Sequence, residues 1–412
     1  MARILEVFLN EQSVGRLKQD DSGSLWFSYN DEWLGSDSAM PLSVSLPLRT
    51  QPFSRNECRP FFAGLLPEEA SRSLIAKAFG VSDKNDFALL EKIGGECAGA
   101  VSLIPPGERP MDGMASYREI STAELADKIL DLPKHPLLAG QEGIRLSLAG
   151  AQGKLAVAIR DGKFFLPLNG SPSTHILKPQ GAHFEGLVEN EFFCMRLAAS
   201  AGLEAATVAI GTAGKERFLQ VERYDRKVLL GGDLKRVHQE DFCQALGIPP
   251  ELKYQQEGGP NLKKCFAILR SVSSVPGPDV LRLFDAVVFN YLIGNNDAHG
   301  KNFSFLFDSR RATLAPLYDL VCTQAYEGVA AEMAMKIGDE RNPQRIFTKN
   351  WRKFFDASAL GQAQATKRLK SLAGKVQALV EGMDSTSPGW KMCSPWVIAN
   401  CGNLLNLGWD EK

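Results

Sequence analysis

The chain has 412 residues, a formal net charge of −1, and a composition that is 44% hydrophobic and 23% charged. That length exceeds what one core usually supports, so two or more packed domains are expected, and a disordered or fibrous protein is excluded. Without an excess of basic residues there is no electrostatic footprint for a nucleic-acid backbone, so any DNA would be reached only indirectly, through a partner.

The amino-terminal run MARILEVFLNEQSVG places charges among its apolar residues, unlike a signal peptide, and no apolar run reaches transmembrane length. A cytoplasmic protein without membrane contact is expected. Residues 3 to 48 contain three β-like runs, RILEVFL, SLWFSY and LSVSLPL, separated by turn formers. PEEASRSLIAKAFG reads as a helix stopped by Gly80, and SDKNDFALLEKIGG as a helix capped by Ser82 and stopped by Gly94. The proline- and glycine-rich stretch from Ile104 to Ser116 reads as a linker.

Beyond about Gly140 a small-residue loop, SLAGAQGK, leads into KLAVAI and KFFLPL, a hairpin closed at Asp161 and Gly162. THILKP follows as a short strand carrying Lys178, then ENEFFCMRLAASAG as a helix ending at Gly202, then the strands AATVAIGT and RFLQVERY. After Val237 the runs DFCQALG, NLKKCFAILRSV, DVLRLFDAVVFNYLIG and RLKSLAGKVQALVEGM favour helix. The expected organisation is an amino-terminal α+β subdomain over 1–106, a β-rich nucleotide-binding lobe with its linker over 107–236, and an α-helical catalytic lobe over 237–412. The eight cysteines contain no CxxC pair, and buried, reduced thiols are expected.

Phosphoryl transfer needs a backbone cradle for phosphates, a lysine on a strand, a carboxylate near the attacking hydroxyl, and magnesium ligands. In GNNDAHGKNFSF, Asp297 precedes Asn302 by the five positions that separate base and metal ligand in kinase catalytic loops, and Asp319 in PLYDLV can supply a second hard oxygen. Read alone, such a string is equally an Asx-type turn after a buried helix. The SLAGAQGK loop can approach phosphates through Gly150 and Gly153 but lacks the Walker A spacing, and a generic turn before a strand stays open. Lys178 can be read as an edge-strand lysine, Glu191 either as the acid that orients it or as a surface residue, and His299 as a phosphate contact or a brace. The remaining histidines, His135, His175, His183 and His238, show no metal-ligand spacing.

Taken in order, FLNEQSVGRL, PLSVSLPL, FFAGLLPE, GAVSLIP, RLSLAGAQGK, THILK, ENEFFCMRLA, VERYDR, HQEDFCQALG, GNNDAHGKNFSF and LAPLYDL resemble the HipA family of bacterial serine/threonine kinases, the toxin half of a toxin–antitoxin pair, across almost the whole chain. The resemblance implies an α+β, protein-kinase-like two-lobed fold with an N-terminal α+β subdomain. It implies an enzyme dependent on ATP and Mg2+, with Asp297 as catalytic base and Asn302 and Asp319 as metal ligands. It also implies that Ala149, Gly150, Ala151, Gln152, Gly153 and Lys154 cover the ATP phosphates, that Lys178 holds them, that Glu222, Arg223 and Tyr224 border adenine, and that His299, Gly300, Lys301 and Tyr318 complete the pocket.

Ser147 corresponds to the family's inactivating autophosphorylation site. The implied partners are a HipB-like helix-turn-helix antitoxin, which would bring the chain to the nucleoid, and a translation protein as substrate, an aminoacyl-tRNA synthetase by family likeness. The chain departs from the family at Gly153, where glutamate is common, which is expected to loosen the loop, and in the residues flanking His299. Two other readings are a catalytically quiet corepressor and a small-molecule or lipid kinase.

Overall fold

Alternation of side chains creates the first sheet. In strands β1 (Arg3–Leu9), β2 (Gln12–Gln19) and β3 (Leu25–Tyr29), the residues Leu5, Val7, Leu17, Leu25, Phe27 and Tyr29 turn inward. With β4 (Val101–Ile104) they form an antiparallel sheet of order β3-β2-β1-β4. The computed structural model describes residues 2–110, 115–150, 152–181, 184–229 and 234–409. The chain divides into two compact units, Met1–Gly181 with Gly211–Pro250 and Leu306–Arg311, and Ala182–Ile210 with Glu251–Phe305 and Ala312–Lys412.

In the first unit the Phe27 ring packs on Tyr29, Phe53 and Phe62 at 4.8, 6.0 and 5.4 Å between centroids. Around this core lie α1 (Asp31–Leu34), α2 (Arg55–Gly64), α3 (Glu69–Ala78) and α4 (Asp86–Ile93). The cap of α4 is Asn85, whose side chain accepts from Ala88 N at 3.0 Å, and not Ser82 as the sequence suggested. The LSVSLPL run is not a strand either, having only an isolated bridge between Ser43 and Leu46. Pro41 and Pro47 cannot donate to a ladder, and the Ser43 hydroxyl and Val44 N–H are spent on Glu240.

A second sheet has order β5-β7-β6-β8-β10-β9, built from β5 (Ser116–Ile120), β6 (Leu155–Arg160), β7 (Lys163–Leu168), β8 (His175–Pro179), β9 (Val208–Ala213) and β10 (Glu216–Glu222), with α5 (Thr122–Asp131) against it. Its hairpin β6–β7 turns as expected: Asp161 (φ 49°) and Gly162 (φ 74°) both lie in the left-handed region that a two-residue hairpin loop requires. The short strands β11 (Arg226–Val228), β12 (Leu234–Arg236) and β13 (His238–Asp241) lead into α7 (Phe242–Ala245).

The second unit is mainly helical: α6 (Leu187–Ser200), α8 (Leu262–Val272), α9 (Pro276–Leu292), α10 (Thr348–Ser358), α11 (Gln362–Gly382) and α12 (Pro388–Leu405). Phe284 of α9 stacks on Phe354 of α10 at 5.0 Å, beside the fully buried Trp351. A hairpin that sequence periodicity did not reveal, β14 (Ser304–Asp308) and β15 (Arg311–Leu314), interrupts the helices, and its tip is counted with the first unit. Among the described residues no helix is long and apolar enough to cross a membrane. All eight cysteines are buried and none is in a disulfide, and burial pushes the Cys58, Cys97, Cys265 and Cys401 thiols up to about 12.

Within the first unit Glu240 is sealed from water, and its carboxyl accepts from Ser43 Oγ (2.5 Å) and Val44 N (2.9 Å). Burial, helped by Asp241, pushes it up to about 8 against those two hydrogen bonds. Between the unfolded value of about 4.3 and that folded value, the native state holds a proton that the unfolded chain has lost. Its contribution therefore favours the native state below pH 4 and is lost as pH rises toward 8. Glu240→Gln is expected to flatten the pH dependence of unfolding free energy over that window by about 1 kcal/mol per pH unit, measured by denaturant titration.

Candidate active site

Helix α9 ends at Leu292, and Gly294 turns the chain with φ 69°, where an added Cβ would stand 2.6 Å from Gln324 Oε1. The following loop is held by asparagines. Asn295 bonds back to the helix, N to Asn290 O at 2.9 Å and Nδ2 to Asn290 Oδ1 at 2.7 Å. Asn295 Oδ1 then accepts from Asp297 N at 3.1 Å, which is an Asx-turn. Asn296 donates its N–H to Thr323 Oγ1 and its Nδ2 to Ala330 O. Gly300–Asn302 forms a single 3-10 turn, in which Asn302 Oδ1 accepts from His299 N at 3.1 Å. The loop is thus a turn after a buried helix, but the side chain that closes the Asx-turn is Asn295 and not Asp297, and Asn302 caps His299; that geometry orients Asp297 and Asn302.

Asp297 is half-buried, and its Oδ1 accepts from the Tyr254 hydroxyl at 2.8 Å. Asn302 donates Nδ2 to Asp319 Oδ2 at 2.9 Å. Tyr318 donates its hydroxyl to Lys301 O (2.6 Å) and lies 2.7 Å from Ser304 Oγ, tying the PLYDLV segment to the loop. On the other side of Asp319 the chain is pinned by Asn190 of α6, which accepts from Cys322 N (2.8 Å) and donates to Cys322 O (3.0 Å). Asp319 sits at φ 58°, a left-handed conformation that costs a non-glycine residue on the order of 1–3 kcal/mol and is retained only where neighbours enforce it. Of the residues singled out from sequence, the second unit therefore brings together Asp297, His299, Gly300, Lys301, Asn302, Tyr318 and Asp319. Glu191 also lies in this unit and is buried, which rules out the surface reading.

Asp319 offers a hard carboxylate oxygen that suits Mg2+, an ion that usually takes one or two protein oxygens and completes its shell with phosphates and water, while Asn302 meets Asp319 through its amide nitrogen and turns its own oxygen to His299 N. Among the described residues no group of three or more His, Cys, Asp or Glu side chains is arranged to hold a metal by itself.

The first unit carries the other set. Ser147 is fully buried, with Oγ donating to Leu65 O (2.8 Å) and N to Glu96 O (2.8 Å). Gly150 (φ 106°) bridges in parallel to Pro67, and an added Cβ there would meet Lys154 Nζ at 2.6 Å. Lys154 Nζ in turn donates to Ala149 O. Gly153 has no positive φ and nothing within 4 Å of where a Cβ would be, so the first carbon of a side chain would meet no obstacle there. No steric need explains this glycine. Gln152 is half-buried, and Ala151 lies outside the described residues, as does His183. Lys178 on β8 pairs with Leu219 and shares a strand face with Ile176, opposite the buried Leu177.

The Arg223 side chain is committed inside the first unit. Its guanidinium is enclosed by Glu96 (3.3 Å), Asp225 (2.8 Å) and Ser173 Oγ (2.9 Å), and Arg226 joins the same two acids at 2.8 and 3.0 Å. Burial opposes ionisation of Asp225, yet Arg223 and Arg226 hold its carboxyl well below the usual carboxylate range. The Arg223 side chain is therefore structural, its main-chain N–H donates to Thr174 O at 2.9 Å, and its carbonyl accepts from Arg226 N at 3.2 Å, which leaves that oxygen one lone pair for a ligand. Glu222 is exposed at the end of β10, opposite His175, and Tyr224 is half-buried. His238 is a buried brace whose Nε2 lies 2.9 Å from Leu42 O, and burial pushes it down to about 4.

Sequence reasoning passed over Tyr254, Asn295, Glu96 and Asp225. Asn295 had a signal in the run of asparagines before Asp297, and Asp225 in the charge alternation of VERYDR. Tyr254 and Glu96 had none, because their partners are distant in sequence.

Comparison with known proteins gives concordant matches. Residues 5–104 match the family model of the HipA N-terminal domain, and residues 146–380 that of the HipA-like C-terminal domain. A putative kinase of Sinorhizobium fredii is 48% identical over 390 residues, covering 93% of each chain. The serine/threonine-protein kinase toxin HipA of Shewanella oneidensis is 32% identical over 391 residues, covering 92% of this chain and 88% of that one. The solved complex of HipA, HipB and operator DNA from Shewanella oneidensis MR-1 matches with a TM-score of 0.86 at 30% identity, covering 99% of this chain and 100% of that chain.

Asn302→Ala removes two hydrogen bonds, one from His299 N, which keeps its bond to Asp297 O at 2.8 Å, and one to the half-buried Asp319. The expected loss is about 1–2 kcal/mol of unfolding free energy, measured by chemical denaturation.

Proposed function

Because the chain belongs to the HipA family, we propose that it is a serine/threonine protein kinase that uses ATP and Mg2+, the toxin half of a toxin–antitoxin pair. The observation that carries this reading is the junction of Asn302 with Asp319 at 2.9 Å, on the turn that presents Asp297. Asp297 is the general base, accepting the proton of the acceptor hydroxyl as its oxygen attacks the γ-phosphorus. Asn302 and Asp319 are the residues that would hold Mg2+, which when bound neutralises phosphate charge. Lys301 and Tyr318 brace the loop, while His299 and Gly300 are assigned to the nucleotide.

In the first unit, the loop from Ala149 to Lys154 and Lys178 are assigned to the phosphates. Glu222, Tyr224 and the main chain at Arg223 are assigned to adenine. The domain roles follow the expected ranges: 1–106 as a subdomain of its own, 107–236 for nucleotide and 237–412 for catalysis. The substrate is a translation protein, with aminoacyl-tRNA synthetases as first candidates, and transfer to it arrests growth.

Ser147 is the proposed self-phosphorylation site. Its fully buried hydroxyl must leave the Leu65 carbonyl before it can accept phosphate, and a dianion could not return to that seat. The proposed partner is a HipB-like helix-turn-helix antitoxin. The structural relative was solved with HipB and operator DNA, and a net charge of −1 suits a chain that borrows its DNA contacts. A cytoplasmic protein, nucleoid-associated when antitoxin-bound, follows from that partnership.

Asp297→Asn is expected to lower phosphate incorporation from labelled ATP by at least about 100-fold while its melting temperature stays at the wild-type value. Wild-type incorporation in this variant would remove Asp297 from the mechanism, and an inert wild-type protein would favour the quiet corepressor. Ser147→Ala is expected to abolish the self-phosphorylated species in intact-mass spectra while ATP binding by calorimetry persists. Phosphate mapped to another residue would refute the Ser147 assignment.

A further inference from the structure

We infer that Tyr254 is a positioning residue for phosphoryl transfer, its hydroxyl fixing the rotamer in which the Asp297 carboxylate receives the acceptor's proton. The inference rests on the reading of Asp297 as base. Tyr254 donates to Asp297 Oδ1 at 2.8 Å. Tyr29, Tyr117 and Tyr318 give their hydroxyls to main-chain carbonyls, whereas Tyr254 gives its own to a carboxylate. A charge-assisted bond of this kind is stronger and more directional than a neutral one, and it restrains the direction of the carboxylate oxygen that accepts it.

The tyrosine is itself immobilised. Its ring stands edge-on to His299, at 5.3 Å and 76°, two residues beyond Asp297. Its carbonyl accepts from Glu257 N (3.0 Å) and Gly259 N (2.9 Å), closing a short turn. The next residue, Gln255, donates N to Ala334 O (3.2 Å) and accepts Lys336 N on Oε1 (2.8 Å). Ala334 N then donates to the carbonyl of Asn296, the neighbour of Asp297, at 2.7 Å. The circuit Asp297, Tyr254, Gln255, Ala334, Asn296 and back to Asp297 is closed by hydrogen bonds and peptide links. Side chain and backbone of the base are thus referenced to one frame, which is what a near-attack geometry demands, since a displacement of about 1 Å can cost about 100-fold in rate.

In the step itself the acceptor oxygen bonds to the γ-phosphorus and the bond to the bridging β–γ oxygen breaks. ADP leaves, and the acceptor proton passes to the Asp297 carboxylate. Tyr254 keeps its proton throughout.

The test uses full-length protein, γ-labelled ATP and phosphate incorporated into the chain. Tyr254→Phe removes one oxygen atom and is expected to lower kcat roughly 10- to 100-fold, with KM for ATP and the calorimetric Kd of a non-hydrolysable ATP analogue unchanged within about twofold. In an Asp297→Asn background Tyr254→Phe should cause no further loss, since nothing remains to be positioned. A wild-type kcat in Tyr254→Phe, a change in KM alone, or an undiminished effect in the Asp297→Asn background would overturn the inference and leave the kinase reading intact. If the wild-type protein incorporates no phosphate, both fall together. Should Tyr254→Phe melt well below wild type, the double-variant comparison still decides, because a folding defect would lower both backgrounds alike.

Discussion

The pair of bonds between Asn290 and Asn295 is the constraint on which the proposed catalytic loop depends. Asn290 lies in α9 among Phe284, Phe289 and Leu292, and its Nδ2 also donates to Ala286 O one turn back. The loop after Gly294 therefore takes its position from a buried helix, although its own residues are too polar to be held by hydrophobic packing. An amide is the side chain suited to this task. It carries donor and acceptor together and no charge, so it can be buried without the cost of an ion. The same logic recurs at Asn190, which grips both the N–H and the carbonyl of Cys322, and at Asn302, which caps His299 with one end and meets Asp319 with the other. Neutral amides hold the loops and leave the carboxylates of Asp297 and Asp319 as the acidic groups of the site.

The first unit solves a different problem with charge. Glu96, Arg223, Asp225 and Arg226 are buried together, and such a set is tolerable only because nearly every oxygen and nitrogen is engaged. Gly99 N adds a main-chain donor to Asp225 at 2.7 Å, and Ser173 adds both N and Oγ to Glu96. Removing any one member would strand the others, so this network specifies one arrangement of the segments carrying Gly95 to Gly99 and Ser173 to Arg226.

Elements whose signal is local were legible in the sequence. Two left-handed positions at Asp161 and Gly162 mark a hairpin, and 3.6-residue periodicity marks α8, α9 and α11. The LSVSLPL run misled because its alternation is genuine while its flanking prolines deny it a partner. Pairings across long separations left no trace: Tyr254 with Asp297, Glu96 with Arg223 and Ser43 with Glu240 lie 43, 127 and 197 residues apart. The DAHGKN string shows the same division. Its spacing describes a turn, and the turn is there. Only the ordered company of VERYDR, Lys178 and PLYDLV, read through family likeness, attaches chemistry to it.

The seat of Ser147 shows how a rigid unit can still release one loop. The serine is fixed by Leu65 O and by the carbonyl of Glu96, whereas the Glu96 carboxylate belongs to the arginine network. Withdrawing Ser147 with its neighbour Leu148 breaks two hydrogen bonds worth about 1 kcal/mol each and exposes Leu148, worth about 2 kcal/mol. That total of about 4 kcal/mol spares every ion pair, because the bond to Ser147 uses the main chain of Glu96 and not its charge. A phosphate enclosed at Ser147 would cost far more than this in lost hydration. The balance therefore favours expulsion of a modified loop while the network beneath it stands, so the loop can be switched without unfolding the unit that carries it.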